Sequence, residues 1–381
     1  MLKFNKYLTR TWSLVRSRPR GWQSLLYNTV MAKAKLVGPL MLPVHISIEP
    51  TNSCNLRCPV CETGNGSMAR RAGVLDYDLY CRFIDQIASH AVVLMFYFMG
   101  EPFLNKRAYD MIRYARGKGI YVETCTNGEH VNPEGVIYSD VNDISFQIGG
   151  MTQETHERYR VRGDLSRVIS NLEQLLVERQ RHPHSNVQVN VGFVVMKHNE
   201  HEVSEFLRWA KEIGVDRANL IDPCVRTIAE GRELLPDNPR YWFYDEEAFA
   251  RGELKPKIVP RNECTWIWNS MLVCWDGSVV PCCRDPQGRH VLGNVFEKPL
   301  REIWNGEAMR SFRHRIVTKQ GEMDICRLCS GYGVPALDRS RPMSFEIQRM
   351  SLVDSMTSVD WKLPQERSNR GGDLHVSGDF P

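Results

Sequence analysis

Two kinds of apolar pattern alternate along residues 44–222. Short apolar runs of strand length are separated by longer stretches in which apolar positions recur every three or four residues, as on one face of a helix. The runs predict six strands, at residues 44–48, 92–98, 120–124, 143–148, 187–195 and 217–221. Strands that alternate with helices favour parallel pairing with right-handed crossovers. We therefore predict an α/β core with a closed or partly closed sheet and with ligands beyond the carboxyl ends of its strands.

Four other segments surround this core and differ from it in composition. Residues 1–43 are interpreted as a basic helical N-terminal extension, and the proline-rich residues 223–263 as a linker. Residues 264–335 combine short predicted strands with many cysteines, which indicates a second, smaller domain. Residues 336–381 are interpreted as a C-terminal extension, and the polar end of this extension is expected to be disordered.

The composition is that of a globular protein, since 42% of the 381 residues are hydrophobic and 25% are charged. Fibrous and wholly disordered classes are therefore excluded. No apolar run approaches the roughly 18 residues of a membrane-spanning helix, and the N-terminus lacks the pattern of a secretory signal. We expect a cytoplasmic protein.

Positive charge is concentrated at the N-terminus. Residues 1–48 contain eight Lys and Arg residues and no acidic residue, whereas the rest of the chain has 41 basic and 45 acidic side chains. A protein that binds DNA is basic across its body, so we expect no DNA partner. Residues 1–36 could lie on an anionic membrane surface and give a weak membrane association. The favoured alternative is a helical cap on the core, with its basic face in water.

Three of the twelve cysteines lie in the loop after the first predicted strand. Cys54, Cys58 and Cys61 have the spacing C-x3-C-x2-C, and no fourth cysteine lies near them in sequence. Three thiolates can bind three irons of a [4Fe–4S] cluster, which leaves the fourth iron open to another ligand. A structural zinc site would require a fourth protein ligand. The spacing thus favours an open iron–sulfur cluster.

The motif and its place after the first strand resemble those of the radical S-adenosylmethionine (SAM) superfamily. The resemblance covers about residues 44–222 and implies a partial (β/α)6 radical SAM barrel. It also implies that SAM binds to the open iron of the cluster. The reduced cluster of such enzymes cleaves SAM to a 5′-deoxyadenosyl radical, which abstracts a hydrogen atom from a substrate. The protein orients the target and excludes water.

The resemblance extends to five residues expected to contact SAM. Gly100 and Glu101 lie in a Met-Gly-Glu-Pro sequence similar to the family's Gly-Gly-Glu-Pro turn, in which the glutamate holds the methionyl amine. The alternative role of Glu101 is a helix N-cap. Asn127 lies in a Thr-Asn-Gly sequence of the family type, which could also be a simple turn. Gln147 and Arg160 correspond to positions that contact the SAM ribose or carboxylate, although a solvent-exposed helix charge is an equal alternative for Arg160.

A second set of cysteines follows the predicted barrel. Its four members are Cys264, Cys282, Cys326 and Cys329. Together with the sequence between them, they resemble the small α+β SPASM/twitch domain of radical SAM enzymes, which implies an auxiliary [4Fe–4S] cluster. No cysteine follows Cys329, so a second auxiliary cluster is not expected. Zinc remains the alternative metal for four thiolates.

Two further cysteines lie close in sequence to this second set. Cys274 could replace one of the four as a ligand. Cys283 is adjacent to Cys282, and neighbouring residues of a strand face opposite sides, so the two are not expected to share a metal.

The two predicted clusters suggest what the enzyme does. A fully ligated auxiliary cluster suits electron transfer, which favours oxidation of a hydroxyl-bearing carbon to a carbonyl. The alternative is redox-neutral epimerisation, for which Cys125 is the candidate hydrogen donor, although a core position is the favoured interpretation of this cysteine. The sequence assigns no catalytic base.

Three functional hypotheses follow. The first is a radical SAM oxidoreductase or epimerase that acts on a sugar, cyclitol or nucleotide-sugar and receives electrons from flavodoxin or ferredoxin. The second is a maturase of a ribosomally made peptide, which is less favoured because residues 1–43 are too short and too helical for a leader-binding domain. The third, remote hypothesis is a non-enzymatic iron–sulfur or zinc scaffold.

Overall fold

A computed structural model describes residues 18–329 with their side chains and residues 346–350 as backbone. The strands are β1 His45–Ile48, β2 Val93–Met95, β3 Tyr121–Thr126, β4 Asp143–Ile148, β5 Gln188–Val194, β6 Arg217–Ile221, β7 Ser270–Val273, β8 Ser278–Val280, β9 Gly293–Asn294 and β10 Glu346–Met350. The α-helices are α1 Pro19–Lys33, α2 Tyr77–Ile87, α3 Ala108–Gly117, α4 Pro133–Ser139, α5 Gln153–Tyr159, α6 Leu165–Arg181, α7 Val203–Glu212, α8 Ile228–Leu234, α9 Glu246–Ala250, α10 Trp266–Asn269, α11 Leu300–Trp304 and α12 Glu307–Lys319.

One sheet contains all ten of these strands, in the order β10-β6-β5-β4-β3-β2-β1-β7-β8-β9. Strands β1 to β6 pair in parallel with their sequence neighbours, as the alternation of apolar runs and helices predicts. The sheet is open: β10 pairs in parallel with β6 at one end, and β7 pairs in parallel with β1 at the other. The predicted partial (β/α)6 barrel is confirmed.

The helices cover one face of the sheet with apolar side chains. In α2, Asp76 caps the N-terminus by accepting hydrogen bonds from the first backbone N–H groups, and the helix buries Phe83 and Ile84. At the other end of the sheet, the Phe193 ring of β5 lies 4.7 Å from the Phe206 ring of α7. Such contacts build a continuous core between helices and sheet.

The opposite face of the sheet carries polar side chains. Burial alternates along β3 and β4, as it does when successive side chains point to opposite faces. The residues that point away from the helices include Glu123 and Cys125 on β3, and Ser145 and Gln147 on β4. The interior of the open barrel is therefore lined by groups that can hydrogen-bond a ligand.

The cysteine-rich second domain continues the barrel sheet. Strands β7, β8 and β9 form an antiparallel meander beside β1. Helix α12 is tied to α10 and α11 by the buried Arg313, whose guanidinium group donates to the carbonyl oxygens of Ile267 at 3.0 Å and Trp304 at 2.8 Å. The predicted second domain is thus joined to the barrel by backbone pairing.

The segments before the barrel and between the barrel and the second domain also form secondary structure. Residues 223–263, interpreted as a linker, contain α8 and α9 and a small apolar cluster around Phe243 and Tyr244. Helix α1 packs against α10. Residues 1–17 and the predicted disordered tail lie outside the described residues. Within the described part, no helix has the length and apolar character needed to cross a membrane.

Candidate active site

The loop after β1 brings its three cysteines together. Among the hydrogen bonds that shape the loop are those from the backbone N–H of Leu56 to Sγ of Cys54 at 3.4 Å and from the N–H of Cys61 to the carbonyl of Cys58 at 3.2 Å. Burial raises the pKa of Cys54 to about 11, and the charges of Glu101, Cys58 and Cys61 add to the rise. Thiolates so close together in a poorly solvated loop need positive charge to stabilise them, which iron supplies.

No group of three or more His, Cys, Asp or Glu side chains within the described residues has the geometry to hold a single metal ion. A [4Fe–4S] cluster makes a different demand, because each thiolate binds its own iron. The donor set of three thiols therefore fits a cluster with one open iron. We refer to Cys54, Cys58 and Cys61 as the SAM-cluster cysteines.

An apolar wall covers the SAM-cluster cysteines. Leu56, Tyr159 and Met196 are buried together with Cys58, and Val60 packs against them. Such a wall limits the access of water and oxygen to the loop.

Glu101 joins the ends of β2 and β3 to this loop. Its Oε1 accepts a hydrogen bond from the Thr126 hydroxyl at 2.8 Å, and its Oε2 accepts one from the Asn127 N–H at 2.8 Å. The same carboxylate also caps the short 3-10 helix that follows by accepting from the Phe103 N–H at 3.3 Å. Burial raises the pKa of Glu101 to about 7. Both roles considered for Glu101, cap and candidate ammonium partner, are therefore compatible with its position.

Asn127 ties the third strand to the SAM-cluster cysteines. Its Nδ2 donates to Oδ1 of Asn55 at 2.8 Å and lies 3.9 Å from Sγ of Cys54. The following Gly128 has φ +86°, a conformation that favours glycine. The Thr-Asn-Gly sequence is thus a tight turn and also a contact to the loop.

Gly100 allows the turn before Glu101 to approach the loop. Its φ is +76°, and a Cβ at this position would come within 2.6 Å of the carbonyl oxygens of Thr51 and Ser53. The Glu101 N–H uses the same contact, donating to the Ser53 carbonyl at 2.8 Å. A glycine is required here by both conformation and space.

Arg160 and Gln147 complete the set of predicted SAM contacts. Nη1 of Arg160 lies 3.8 Å from Sγ of Cys58, and Nε of Arg160 is buried with no hydrogen-bond partner among the described residues. The Arg160 side chain packs closely on Gly149, since a Cβ added to this glycine would lie 2.8 Å from Cγ of Arg160. Gln147 donates to the Ser145 hydroxyl at 3.0 Å on the interior face of β4. An unpartnered guanidinium nitrogen beside the cysteines fits an anionic ligand such as the SAM carboxylate.

The inner face of β3 and β4 contains a group of buried titratable side chains. Burial raises the pKa of Glu123 to about 8, with a further contribution from Asp143. Tyr97 hydrogen-bonds Glu123, and the Asp143 carboxylate accepts a hydrogen bond from Nδ2 of Asn190 at 2.6 Å. Cys125 hydrogen-bonds Gln147 and faces these groups, so its surroundings are polar rather than those of an apolar core.

The second set of cysteines also comes together. Burial raises the pKa of Cys264 to about 11 and of Cys326 to about 12, and the charge of Cys329 adds to both shifts. Burial also raises the pKa of Cys282, and the charges of Cys264 and Cys329 add to this rise. We call Cys264, Cys282, Cys326 and Cys329 the auxiliary cysteines. Four thiols in one poorly solvated place fit a fully ligated cluster.

The two neighbouring cysteines differ in position. Cys283 lies in the turn after β8 rather than on a strand. Its charge helps to raise the pKa of both Cys264 and Cys282, so it lies beside the auxiliary cysteines. Cys274 is fully buried next to the ion pair of Glu49 and Arg70.

That ion pair connects the cysteine loop to the second domain. The Arg70 guanidinium binds the Glu49 carboxylate at 2.7 and 2.6 Å, and its Nε donates to the Pro286 carbonyl at 2.7 Å. The Trp275 N–H donates to Glu49 Oε2 at 3.2 Å. Sequence reasoning missed this pair, although Glu49 lies directly between β1 and the loop.

The open parallel barrel with three cysteines after its first strand, and the cysteine-rich meander beside it, define a class of iron–sulfur enzyme. The radical SAM superfamily matches residues 48–210, and the SPASM iron–sulfur cluster-binding domain matches residues 264–330. Residues 48–210 are therefore a radical SAM domain, and residues 264–330 are a SPASM iron–sulfur cluster-binding domain. The cofactors of the chain are therefore SAM, a SAM-binding [4Fe–4S] cluster and an auxiliary [4Fe–4S] cluster.

Curated relatives of several activities are similar to this chain. The AdoMet-dependent heme synthase of Methanosarcina barkeri is 28% identical over 329 residues, which cover 76% of this chain and 90% of the relative. The mycofactocin maturase MftC of Mycobacterium ulcerans is 25% identical over 346 residues, covering 78% and 91%. These relatives share the family and differ in what they act on.

Among solved structures, Streptococcus suis SuiB bound to S-adenosylmethionine is similar, with a TM-score of 0.56 and 14% sequence identity. The match covers 76% of this chain and 73% of SuiB. At this identity the similarity shows the fold alone.

Proposed function

We propose that the protein is a radical SAM oxidoreductase that removes a hydrogen atom from a hydroxyl-bearing carbon and oxidises it to a carbonyl. The proposed substrate is a sugar, a cyclitol or a nucleotide-sugar. The observation that carries the proposal is the polar inner face of the sheet, on which Glu123, Ser145 and Asn190 present hydrogen-bonding groups. A substrate with several hydroxyl groups finds partners there.

Different residues of the chain are proposed to hold the two clusters and SAM. When bound, SAM and the two clusters supply the 5′-deoxyadenosyl radical and accept the second electron of the oxidation. The SAM-cluster cysteines and the auxiliary cysteines would hold the two clusters. Gly100, Glu101, Asn127, Gln147 and Arg160 would hold SAM.

Glu123 is the proposed acceptor of the hydroxyl proton. Its carboxyl group lies on the inner face of β3, and burial raises its pKa to about 8, near working pH. Proton transfer is most efficient when the pKa of the acceptor is close to the pH. Tyr97, which hydrogen-bonds Glu123, holds the carboxyl group in place.

A second candidate outcome is epimerisation, and the position of Cys125 favours it. The thiol faces the barrel interior, and burial raises its pKa to about 12, so it is protonated at neutral pH. A protonated thiol can return a hydrogen atom to a substrate radical. The other alternative is peptide modification, which the similarity to mycofactocin maturases supports.

A small-molecule substrate and an external flavodoxin or ferredoxin suit an enzyme that must receive single electrons, and we propose a cytoplasmic location. A non-enzymatic scaffold would not need the hydrogen bonds that join Glu101 to Ser53 and Asn127 to Asn55 in the cysteine loop.

The test is stimulation of 5′-deoxyadenosine formation by candidate substrates. Anaerobically reconstituted enzyme is incubated with SAM, dithionite and either nucleotide-sugars, cyclitols or short peptides. The proposal predicts stimulation by a hydroxylated small molecule, with a product lighter by two hydrogen atoms. Stimulation by peptides alone would reject it in favour of the maturase hypothesis.

A cysteine variant distinguishes oxidation from epimerisation. In heavy water, epimerisation introduces deuterium into the product, and Cys125→Ser would stop this exchange. Oxidation introduces no deuterium at the reacting carbon. Cys81→Ser, at a half-buried cysteine on α2, is the matched control.

A further inference from the structure

Helix α1 turns small and polar side chains toward the rest of the protein. Its buried residues are Gly21, Ser24 and Asn28. A Cβ on Gly21 would lie 2.6 Å from the carbonyl oxygen of His90, so the helix backbone packs closely on the core. Nδ2 of Asn28 donates to the Met41 carbonyl at 2.8 Å, and its Oδ1 accepts from the Met41 N–H at 3.0 Å. The helix is therefore fixed to the core by close approach of its backbone and by hydrogen bonds.

The outward side of α1 and the residues just after it carry an apolar patch. Leu26, Tyr27 and Val30 are 55%, 41% and 58% exposed, and Leu36 is 52% exposed. Val30 follows Leu26 by four residues and Tyr27 by three, so these three side chains are neighbours on one helix face. We refer to Leu26, Tyr27, Val30 and Leu36 as the outer apolar patch.

This patch is not a matter of scattered surface residues. Nine large hydrophobic side chains are exposed in the described part of the chain, and the outer apolar patch contributes four of them within one short segment. Single exposed apolar residues are normal, whereas a concentration of them marks a surface that contacts another molecule or a membrane.

Basic residues flank the outer apolar patch. The exposed Arg20 precedes Tyr27 by seven residues, and the exposed Lys33 follows Val30 by three. Both spacings keep a side chain on the same helix face. The first 48 residues contain eight Lys and Arg residues and no acidic residue, so this segment supplies no negative charge of its own. The occupant of the surface must therefore be apolar in part and negatively charged at its edge.

A second copy of this chain does not meet this demand. A symmetric dimer through α1 would place the basic residues of each copy beside the same residues of the other. Like charges at short distance repel each other. A bilayer with anionic headgroups meets both parts of the demand, because it takes up apolar side chains at the boundary of headgroups and acyl chains and attracts Lys and Arg. A tyrosine such as Tyr27 suits this boundary, since its ring is apolar and its hydroxyl is polar.

We propose that α1 docks the protein on an anionic membrane surface. The outer apolar patch enters the boundary between headgroups and acyl chains, and Arg20 and Lys33 lie against the lipid phosphates. The helix lies along the membrane and does not cross it. This docking is independent of the substrate that the enzyme takes.

The position of α1 in the fold keeps the candidate active site away from the membrane. Gly21 packs beside His90 and Val92, which directly precede β2. The SAM-cluster cysteines follow the carboxyl end of β1, and β1 and β2 are parallel. The docking helix and the cysteine loop therefore lie at opposite edges of the sheet, so a docked protein keeps its carboxyl edge open to SAM and substrate.

Co-sedimentation of the full chain with lipid vesicles tests this surface. The vesicles contain phosphatidylcholine alone, or phosphatidylcholine and phosphatidylglycerol in equal amounts. Wild type is expected to sediment with the anionic vesicles and to be released by salt, which screens the attraction. Leu26→Ser/Val30→Ser should weaken binding about tenfold, because two apolar side chains no longer enter the bilayer. Val177→Ser/Val291→Ser, at two other exposed valines, is the matched control and should bind like wild type.

A second pair of variants tests the charges. Arg20→Gln/Lys33→Gln is expected to weaken binding to the anionic vesicles about fivefold for each charge removed. Arg208→Gln/Lys211→Gln, at an exposed arginine and an exposed lysine on α7, is the control and should bind like wild type. Melting temperatures close to that of wild type are expected for all four variants, since exposed side chains away from the core contribute little to stability.

Three results overturn the proposal. The first is no binding of wild type to the anionic vesicles, and the second is equal binding to both kinds of vesicle. The third is binding that neither of the α1 variants weakens. Analytical ultracentrifugation without lipid examines the remaining occupant. A monomer agrees with the proposal, whereas a dimer that Leu26→Ser/Val30→Ser converts to monomers would assign the patch to a second copy and overturn it. Cleavage of SAM by the same preparations should not differ between these proteins, so its loss would concern the proposed function and not the docking surface.

Discussion

Nη1 of Arg160 lies 3.8 Å from Sγ of Cys58, so a permanent positive charge borders the SAM-cluster cysteines. Burial opposes this charge, but the neighbouring Cys58 and Tyr159 outweigh burial and raise the pKa of Arg160 above its usual value. The guanidinium group therefore stays charged in a buried place, where it can attract the carboxylate of SAM.

Replacing Arg160 by Gln is expected to weaken SAM binding about tenfold, the effect of losing one charge-assisted hydrogen bond. The iron content should not change, because Arg160 is not a thiol ligand. Equilibrium dialysis of SAM against reconstituted enzyme measures the effect. Arg158→Gln, at an exposed arginine on α5 two residues earlier, is the control. Equal affinities in all three proteins would show that Arg160 does not contact SAM.

Gly100→Ala is expected to disrupt the cluster loop. The added Cβ would come within 2.6 Å of two carbonyl oxygens, and the residue has φ +76°. Gly66→Ala is a matched control, because Gly66 has φ +77° with nothing within 4 Å of the added atom. The control loses about 1 kcal/mol from backbone strain, whereas Gly100→Ala should lose more stability and much of its iron. Urea unfolding and iron assay compare them, and indistinguishable variants would contradict the close approach.

Breaking the ion pair of Glu49 and Arg70 is expected to cost about 3–5 kcal/mol of unfolding free energy, because one buried charge is left without its partner. The Glu49 side chain is 0% exposed, and that of Arg70 is 12% exposed. The variant is Arg70→Gln, compared in urea unfolding with Arg71→Gln at the exposed neighbouring arginine. A loss no larger than that of the control would mean that the pair does not fix the loop to the second domain.

Glu123 should make the stability of the protein depend on pH. Its pKa is raised from 4.5 to about 8 by burial, so the folded state holds a proton that the unfolded state releases above pH 4.5. Stability therefore falls as the pH rises from about 4.5 to about 8, by up to about 1.4 kcal/mol per unit. Above this window the contribution is constant.

Glu123→Gln removes this dependence, since Gln resembles the protonated acid at every pH. The melting temperature of the variant relative to wild type should rise between pH 5 and pH 8. Glu134→Gln, at an exposed glutamate on α4, is the control and should show a constant difference. A constant difference for Glu123→Gln as well would show that the carboxyl group is not buried as described.

Much of the fold could be predicted because the pattern is clear where turns bound the apolar runs. The bounds of β4 and β6 agree with the predicted residues 143–148 and 217–221. Helix α4 was not predicted, because its seven residues are too few to show a helical period. The parallel pairing of β7 with β1 could not be predicted either, since pairing between strands far apart in sequence leaves no local signal.

The candidate site was predicted only in part, for a physical reason. Motifs that lie on one loop, such as the SAM-cluster cysteines, are visible as spacing. Contacts between distant segments are not: Arg70 and Pro286 are far apart in sequence and meet only in the folded chain. The polar neighbours of Cys125 could have been inferred from the alternation along β3, since Glu123 shares its face.

We propose that the SAM-cluster cysteines and the auxiliary cysteines each hold a [4Fe–4S] cluster. The most direct measurement is the iron, sulfide and zinc content of anaerobically reconstituted wild type and of the triple variant Cys54→Ala/Cys58→Ala/Cys61→Ala. We predict about eight irons in wild type and about four in the variant, with matching sulfide. The variant should also form no 5′-deoxyadenosine. About four irons and one zinc in wild type, with zinc alone in the variant, would contradict the auxiliary cluster and the oxidation that depends on it.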